Sequence, residues 1–69
     1  MRHIELSWEG QTISVTYSNR CYHFRRRGTS FYLSVVDLLD SDHSVEGELV
    51  NPPKPVIREL RDHNVSVVR

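Results

Sequence analysis

The amino-acid sequence predicts one small α+β domain, in which a mostly antiparallel sheet packs against one or two helices. Three features of the chain lead to this fold class. Apolar and polar residues alternate between residues 4 and 17, which is the period of a half-buried strand pair. Apolar residues then recur at helical spacing over residues 31–39, and prolines at 52–55 introduce a second amphipathic segment.

The N-terminal hairpin comes first in the predicted sheet. Residues 3–8 and 12–18 each place an apolar residue at every second position, and Glu9-Gly10-Gln11 supplies the turn between them. Asn19-Arg20 predicts a second tight turn, because asparagine tolerates positive φ. A third antiparallel strand would then cover Cys21–Arg27. The alternative is one long bent strand from Thr12 to Arg26.

The first predicted helix runs from about Ser30 to about Leu39. Gly28 ends the preceding strand, and Thr29 or Ser30 offers a hydroxyl that can cap the first free backbone N–H groups. The apolar stripe that would cover the hairpin consists of Phe31, Val35, Leu38 and Leu39. Acidic residues at a helix C-terminus oppose its dipole, so the helix should end at Asp40-Ser41-Asp42-His43.

The second half of the chain is predicted less completely. Residues 44–51 fit either a short strand or a short helix, although Gly47 weakens the helical alternative. Pro55 suits the first turn of a second helix, which would turn Val56, Ile57 and Leu60 inward. Asn64 can close this helix in the left-handed conformation, and Val65–Val68 has the composition of a C-terminal strand.

Two segments of this half carry a family resemblance. Residues 45–50 read Val-Glu-Gly-Glu-Leu-Val, and residues 60–68 read Leu-Arg-Asp-His-Asn-Val-Ser-Val-Val. After a hairpin and a helix opened by Gly-Thr, this order resembles the β-grasp domains of the sulfur-carrier and TGS type. Sulfur carriers end in Gly-Gly, whereas this chain ends Val67-Val68-Arg69, and residues 19–27 have no place in the short β-grasp hairpin. The resemblance therefore implies an interaction module rather than a carrier.

A winged helix-turn-helix is the alternative architecture. It would take Ser34–Leu39, Ser44–Val50 and Pro55–His63 as three helices and Val65–Val68 as the start of a wing, and it would predict DNA binding. Asn51-Pro52-Pro53 fits the turn before a recognition helix poorly, which favours the sheet.

Composition excludes several classes of function. The chain has 69 residues and a formal net charge of zero, which argues against coating nucleic acid through net charge. No apolar run approaches a membrane span, and the alternating N-terminus does not resemble a signal peptide, so we expect a cytoplasmic protein without a membrane partner. One cysteine, Cys21, and four histidines at wide spacing predict neither a metal site nor a cofactor.

The segment from Arg20 to Arg27 is the most unusual in composition. We take as candidate partner-binding residues its four arginines and two aromatics: Arg20, Tyr22, Phe24, Arg25, Arg26 and Arg27. Arginine binds phosphate or carboxylate bidentately and aromatics stack on bases, so the segment suits single-stranded nucleic acid or an acidic protein surface. The ordinary alternative is a strand whose aromatics face the core.

No catalytic residue set, phosphate-binding loop or cofactor motif is evident, so the sequence predicts a non-enzymatic protein. The first functional hypothesis is a protein–protein interaction module that acts as a regulator, adaptor or inhibitor. The second is a nucleic-acid-binding regulator that uses the basic segment, with Lys54, Arg58 and Arg61 as further contacts. A second copy of the chain is also a candidate partner, because the acidic stretch from Asp37 to Glu48 complements the arginines.

Overall fold

A computed structural model describes residues 4–68 of the chain. Its five strands pair in sequence order, so the sheet is an antiparallel meander. One α-helix and one 3-10 turn follow the sheet. The elements are β1 (Ile4–Glu9), β2 (Thr12–Tyr17), β3 (Arg20–Arg27), β4 (Ser30–Leu38), β5 (Ser44–Glu46), the 3-10 turn Gly47–Leu49 and α1 (Lys54–Asp62). The α+β class and the N-terminal hairpin are confirmed.

Two-residue turns join the first four strands and set their register. Gly10-Gln11 and Gly28-Thr29 each begin with a glycine at φ 62°, a conformation that an L side chain rarely adopts. The turn predicted at Asn19-Arg20 lies one residue earlier, at Ser18-Asn19, where both residues have positive φ. The third strand is therefore confirmed, and the single bent strand from Thr12 to Arg26 is wrong.

The helix predicted from Ser30 to Leu39 is also wrong, because this segment forms the strand β4. Its register with β3 shifts between His23 and Phe24, where β4 carries one extra residue. The buried residues of β4 are consequently Phe31, Leu33 and Val36, with a spacing of two followed by three. The predicted stripe of Phe31, Val35, Leu38 and Leu39 therefore shares only Phe31 with the buried residues of β4.

The ambiguous segment 44–51 contains both structures in turn. Ser44–Glu46 pairs with the end of β4, and Gly47–Leu49 forms the 3-10 turn that follows. The helices that the winged-helix alternative placed at Ser34–Leu39 and Ser44–Val50 are therefore wrong, and only the third, Pro55–His63, corresponds to α1.

The single α-helix of the described chain covers one face of the sheet. Val56 and Leu60 are buried, Ile57 is half-buried, and Asn64 follows the helix with φ 61°, as predicted. The buried side chains form one cluster: Ile13, Val15, Tyr22, Phe24, Phe31, Leu33, Val36, Val56, Leu60 and Val65. The sheet face opposite α1, called the open face below, remains polar and accessible.

The predicted C-terminal strand is reduced to a single parallel bridge between Phe31 and Val67. The N–H of Phe31 donates to the carbonyl of Ser66 at 2.8 Å, and the N–H of Val68 donates to the carbonyl of Phe31 at the same distance. The chain after α1 therefore lies along the outer edge of β4, where β5 does not reach.

Candidate functional site

Strand alternation divides the predicted partner-binding segment between the two faces of the sheet. Tyr22 and Phe24 point into the core and are 1% and 0% exposed, so neither ring can stack on a base or touch a partner in the folded chain. The ordinary alternative, a strand with core-facing aromatics, is what β3 forms. The accessible part of the segment is its arginines.

Three of these arginines lie together at the end of β3. Arg25, Arg26 and Arg27, called the basic tip below, are exposed beside the Gly28-Thr29 turn. Nε of Arg26 donates to the carbonyl of Gly28 at 2.9 Å. The guanidinium carbon of Arg27 lies 4.7 Å from the centroid of the Tyr32 ring, which is a cation–π contact.

The charges of the basic tip are not neutralised within the described chain. Among residues 4–68, no carboxylate lies within 4.0 Å of the three guanidinium groups. Neighbouring like charges repel one another, and an anionic partner would relieve this repulsion. The tip is therefore a candidate binding surface for negative charge.

Arg20 does not belong to this cluster. It pairs with Tyr17 and Leu38 at the opposite end of β3, about 17 Å from Arg25 at the usual rise of a strand. The acidic loop at residues 39–43 is held at the same end, because the N–H of Leu39 donates to the carbonyl of Asn19 at 3.0 Å. The β3–β4 hairpin thus carries positive charge at one end and negative charge at the other.

A groove of about 670 Å³ begins beside the basic tip. It runs between β4 and the chain from Glu46 to Pro52. Arg27 and Tyr32 lie at one end, Glu46 pairs with Val35 further along β4, and Glu48 also lines the groove. Val35, Val50 and Val68 add apolar surface, so the lining mixes both signs of charge, one aromatic ring and aliphatic side chains.

A polar network crosses four strands on the open face. Oγ of Ser14 lies 3.0 Å from Nδ1 of His23, and Nε2 of His23 lies 2.7 Å from Oδ2 of Asp37. The hydroxyl of Ser44 donates to Oδ1 of the same carboxylate at 2.7 Å. The hydrogen bonds from Ser44 and His23 hold the pKa of Asp37 below its ordinary value, so the carboxylate is ionised at neutral pH.

The register of the sheet explains this network. Ser14 and His23 face each other in a non-hydrogen-bonded pair of β2 and β3, where opposing side chains approach most closely. When Nε2 of a neutral His23 donates to Asp37, Nδ1 is left to accept the hydroxyl proton of Ser14. The result resembles a Ser-His-Asp relay in connectivity, although Ser14 meets Nδ1 instead of Nε2.

The surroundings of this relay favour a structural role. Ser14 and His23 belong to inner strands, whose backbone N–H groups bond to neighbouring strands and cannot converge on an oxyanion. Beside the relay, the hydroxyl of Thr16 donates to Sγ of the half-buried Cys21 at 3.7 Å. We therefore interpret the network as a link between β2, β3, β4 and β5.

Sequence reasoning missed both the groove and most of the network. The helix that the sequence predicts at Asp37 would keep this residue away from β3, and the segment that begins at Ser44 was predicted as a short strand or a short helix with no assigned pairing. The turn predicted at Asn19-Arg20 would pair Ser14 with Arg25, and only the observed turn at Ser18-Asn19 pairs Ser14 with His23. The described residues, 4–68, contain no cluster of three or more histidine, cysteine or acidic side chains that could hold a metal ion.

No protein-family model, curated protein or solved structure matches this chain. The resemblance to β-grasp domains therefore stays a prediction. Between residues 4 and 68, no helix combines the length and apolar character needed to span a bilayer.

Proposed function

We propose that this chain is a non-catalytic protein-binding module, a small regulator, adaptor or inhibitor, which recognises an acidic surface of a larger protein. The observation that carries the proposal is the basic tip, where three exposed guanidinium groups lack a carboxylate partner within the described chain. Arginine and tyrosine are enriched among residues that dominate binding energy, and Tyr32 lies directly under Arg27.

The groove supports a protein partner over a polynucleotide. A phosphate backbone leaving the tip along the groove would approach Glu46 and Glu48, and one crossing the open face would meet Asp37. Repulsion from these carboxylates would offset the attraction of the arginines. A protein surface can instead place an acidic patch on the tip and a basic or polar group beside the glutamates.

Charge reversal at the tip tests this proposal directly. Arg25→Glu and Arg27→Glu should each abolish recovery of the partner from a native extract, because each replaces attraction by repulsion. Arg20→Glu is the matched control, since it makes the same change on the same strand about 17 Å away and should retain the partner. Quantitative mass spectrometry of material captured from nuclease-treated extract provides the measurement.

Two results would contradict the proposal. One is a partner that both tip variants recover in the same amount as the unaltered chain does. The other is capture that disappears when the extract is treated with nuclease, because the bound species would then be nucleic acid or would depend on it.

A nucleic-acid-binding regulator is the second candidate function, and one observation favours it. Arg27 and Tyr32 combine a cation with an aromatic ring, the pair that single-strand-binding proteins use on backbone and base. Three phosphate contacts at the tip would give a slope of about −2 for log K against log salt concentration with single-stranded DNA or RNA. Simultaneous replacement of Arg25, Arg26 and Arg27 by alanine should abolish such binding, which fluorescence anisotropy with mixed-sequence oligonucleotides would measure.

A further inference from the structure

β1 is an edge strand whose outer side has no hydrogen-bonding partner in the described chain. Glu9 and Thr12 flank a two-residue turn, so they exchange both backbone hydrogen bonds. Alternation then directs the N–H and C=O groups of Ile4, Leu6 and Trp8 away from β2. Within residues 4–68, no other element donates to or accepts from these outward groups.

This edge has little of the usual protection against pairing, since its only charged residues are Glu5 and Glu9. The six described residues of β1 contain no proline or lysine, and their register with β2 is unbroken, without a bulge. The opposite edge of the sheet, formed by β4 and β5, is partly covered by the chain after α1. β5 has only three residues, and the bridge between Phe31 and Val67 covers β4 beyond it.

The sequence of β1 is complementary to itself when two copies run antiparallel with Leu6 at the centre. Leu6 then faces Leu6 of the second copy, and Ile4 faces Trp8, so outward backbone groups meet in about six hydrogen bonds. On the open face Glu5 lies opposite Ser7. A register centred on Ser7 would instead set Glu5 against Glu9, and this like-charge contact disfavours it.

A cleft beside Ile4 adds an independent reason for this register. It has a volume of about 400 Å³ and lies between Ile4 and α1, where its other walls are Pro55, Arg58, Glu59 and Asp62. Trp8 is 52% exposed and shares the α1-facing side of β1 with Ile4. In the Leu6-centred pairing, Trp8 of each copy reaches the mouth of the cleft of the other.

We propose that two copies of this chain associate through β1, antiparallel and centred on Leu6, with Trp8 of each copy packed beside Ile4 and the cleft of the other. The contact is the same on both copies, so it closes as a two-fold dimer and leaves neither β1 edge free. One short strand and one indole per copy form a small interface, and the dissociation constant should lie in the micromolar range.

Sedimentation of the full chain between about 1 µM and about 1 mM spans the affinities of small interfaces and should show the mass doubling. Trp8 is the only tryptophan, so its emission should shift to the blue over the same range as the indole leaves water. A chain that stays monomeric up to the highest concentration overturns the proposal. Doubling without a change in Trp8 emission also overturns it, because another surface would then be used.

Two kinds of variant test the register. Leu6→Pro removes an outward N–H without removing a bond to β2, so the variant should remain folded and become monomeric. Ser7→Lys places a cation opposite Glu5 of the second copy and should tighten the dimer about two- to tenfold, whereas Ser7→Glu should weaken it by a similar factor. The opposite order for the two Ser7 variants would refute the Leu6-centred register, even if Leu6→Pro failed to fold.

Discussion

Gly47 holds the 3-10 turn against the sheet, and Gly47→Ala should destabilise the fold severely. A Cβ at this position would lie 2.1 Å from the carbonyl oxygen of Leu33 and 2.5 Å from its carbonyl carbon. Ordinary van der Waals contact begins at 3.4 Å, so the closer approach is about 1.3 Å too short. Both atoms belong to the backbone of β4, and no side-chain rotation can relieve the clash.

The expected loss follows from the cost of overpacking. Inserted methyl groups in tightly packed sites cost about 1–3 kcal/mol, and the rigid neighbours of Gly47 place this variant at about 3 kcal/mol. A chain of this length has a total free energy of unfolding of about 3–10 kcal/mol. Urea unfolding followed by Trp8 fluorescence should therefore show a midpoint lower by about 2 M or more, or no folded baseline.

Gly28→Ala is the control for this experiment. Gly28 has φ 62°, but a Cβ added there would meet no atom within 4 Å, so alanine costs only the left-handed conformation, about 1 kcal/mol. If Gly47→Ala proved no more destabilising than Gly28→Ala, the close approach of the turn to β4 would be refuted. The same result would contradict the described wall of the groove, because Gly47 forms part of it.

Two further predictions concern the core and the polar network. Leu60→Ala removes a fully buried side chain between α1 and the sheet and should lower the free energy of unfolding by about 2–5 kcal/mol. Leu49→Ala is the control, because Leu49 is 75% exposed and its replacement should change this free energy by no more than about 0.5 kcal/mol. Equal losses of stability in urea unfolding would show that α1 does not contribute to the core as described. Asp37 has a folded pKa below its unfolded value, so its stabilising contribution is complete above the unfolded pKa and is lost as pH falls through the folded pKa. Asp37→Asn should flatten the pH dependence of stability in this acidic range, and an unchanged acid-unfolding profile would contradict the network.

The parts of the fold that can be predicted from sequence are those governed by local rules. Alternation and the glycine turn define the first hairpin, and Asn64 ends α1 in the expected left-handed conformation. These features depend on residues close together in the chain, and tertiary contacts agree with the local preference. The turn before β3 is displaced by one residue because serine as well as asparagine adopts positive φ.

The error at β4 has a specific physical origin. The extra residue at Ser34 separates the inward-facing Leu33 and Val36 by three positions, so the strict alternation that identifies a strand is lost. Apolar residues also occupy other positions of the segment, and Phe31, Val35 and Leu38 fit the spacing of a helical stripe. The abundance of β-branched and aromatic residues in Ser30–Leu38 is a signal for a strand that competes with the apolar spacing. A bulge depends on pairing with β3, so spacing along the segment alone cannot reveal it.

The same error concealed much of the candidate site. A helix at Asp37 would not place this residue beside His23, and the segment beginning at Ser44 had no predicted pairing with β4, so neither the network nor the groove between β4 and Glu46 could be anticipated. The arginines stand out by composition, but only the tip of β3 brings three of them together. Their importance depends on the absence of nearby carboxylates in the described chain, which is a property of the fold.

The alternation of β3 places side chains that stabilise the core on one face of the strand and arginines proposed to bind the partner on the other. Tyr22 and Phe24 fill the core, so their replacement should impair any activity through unfolding, whichever surface carries it. Arg25 and Arg27 lie on the open face, and their replacement should leave unfolding in urea nearly unchanged while removing the partner. A loss of binding by the arginine variants at unaltered stability would therefore assign recognition to the basic tip, whereas parallel losses of both would show that the tip also supports the fold.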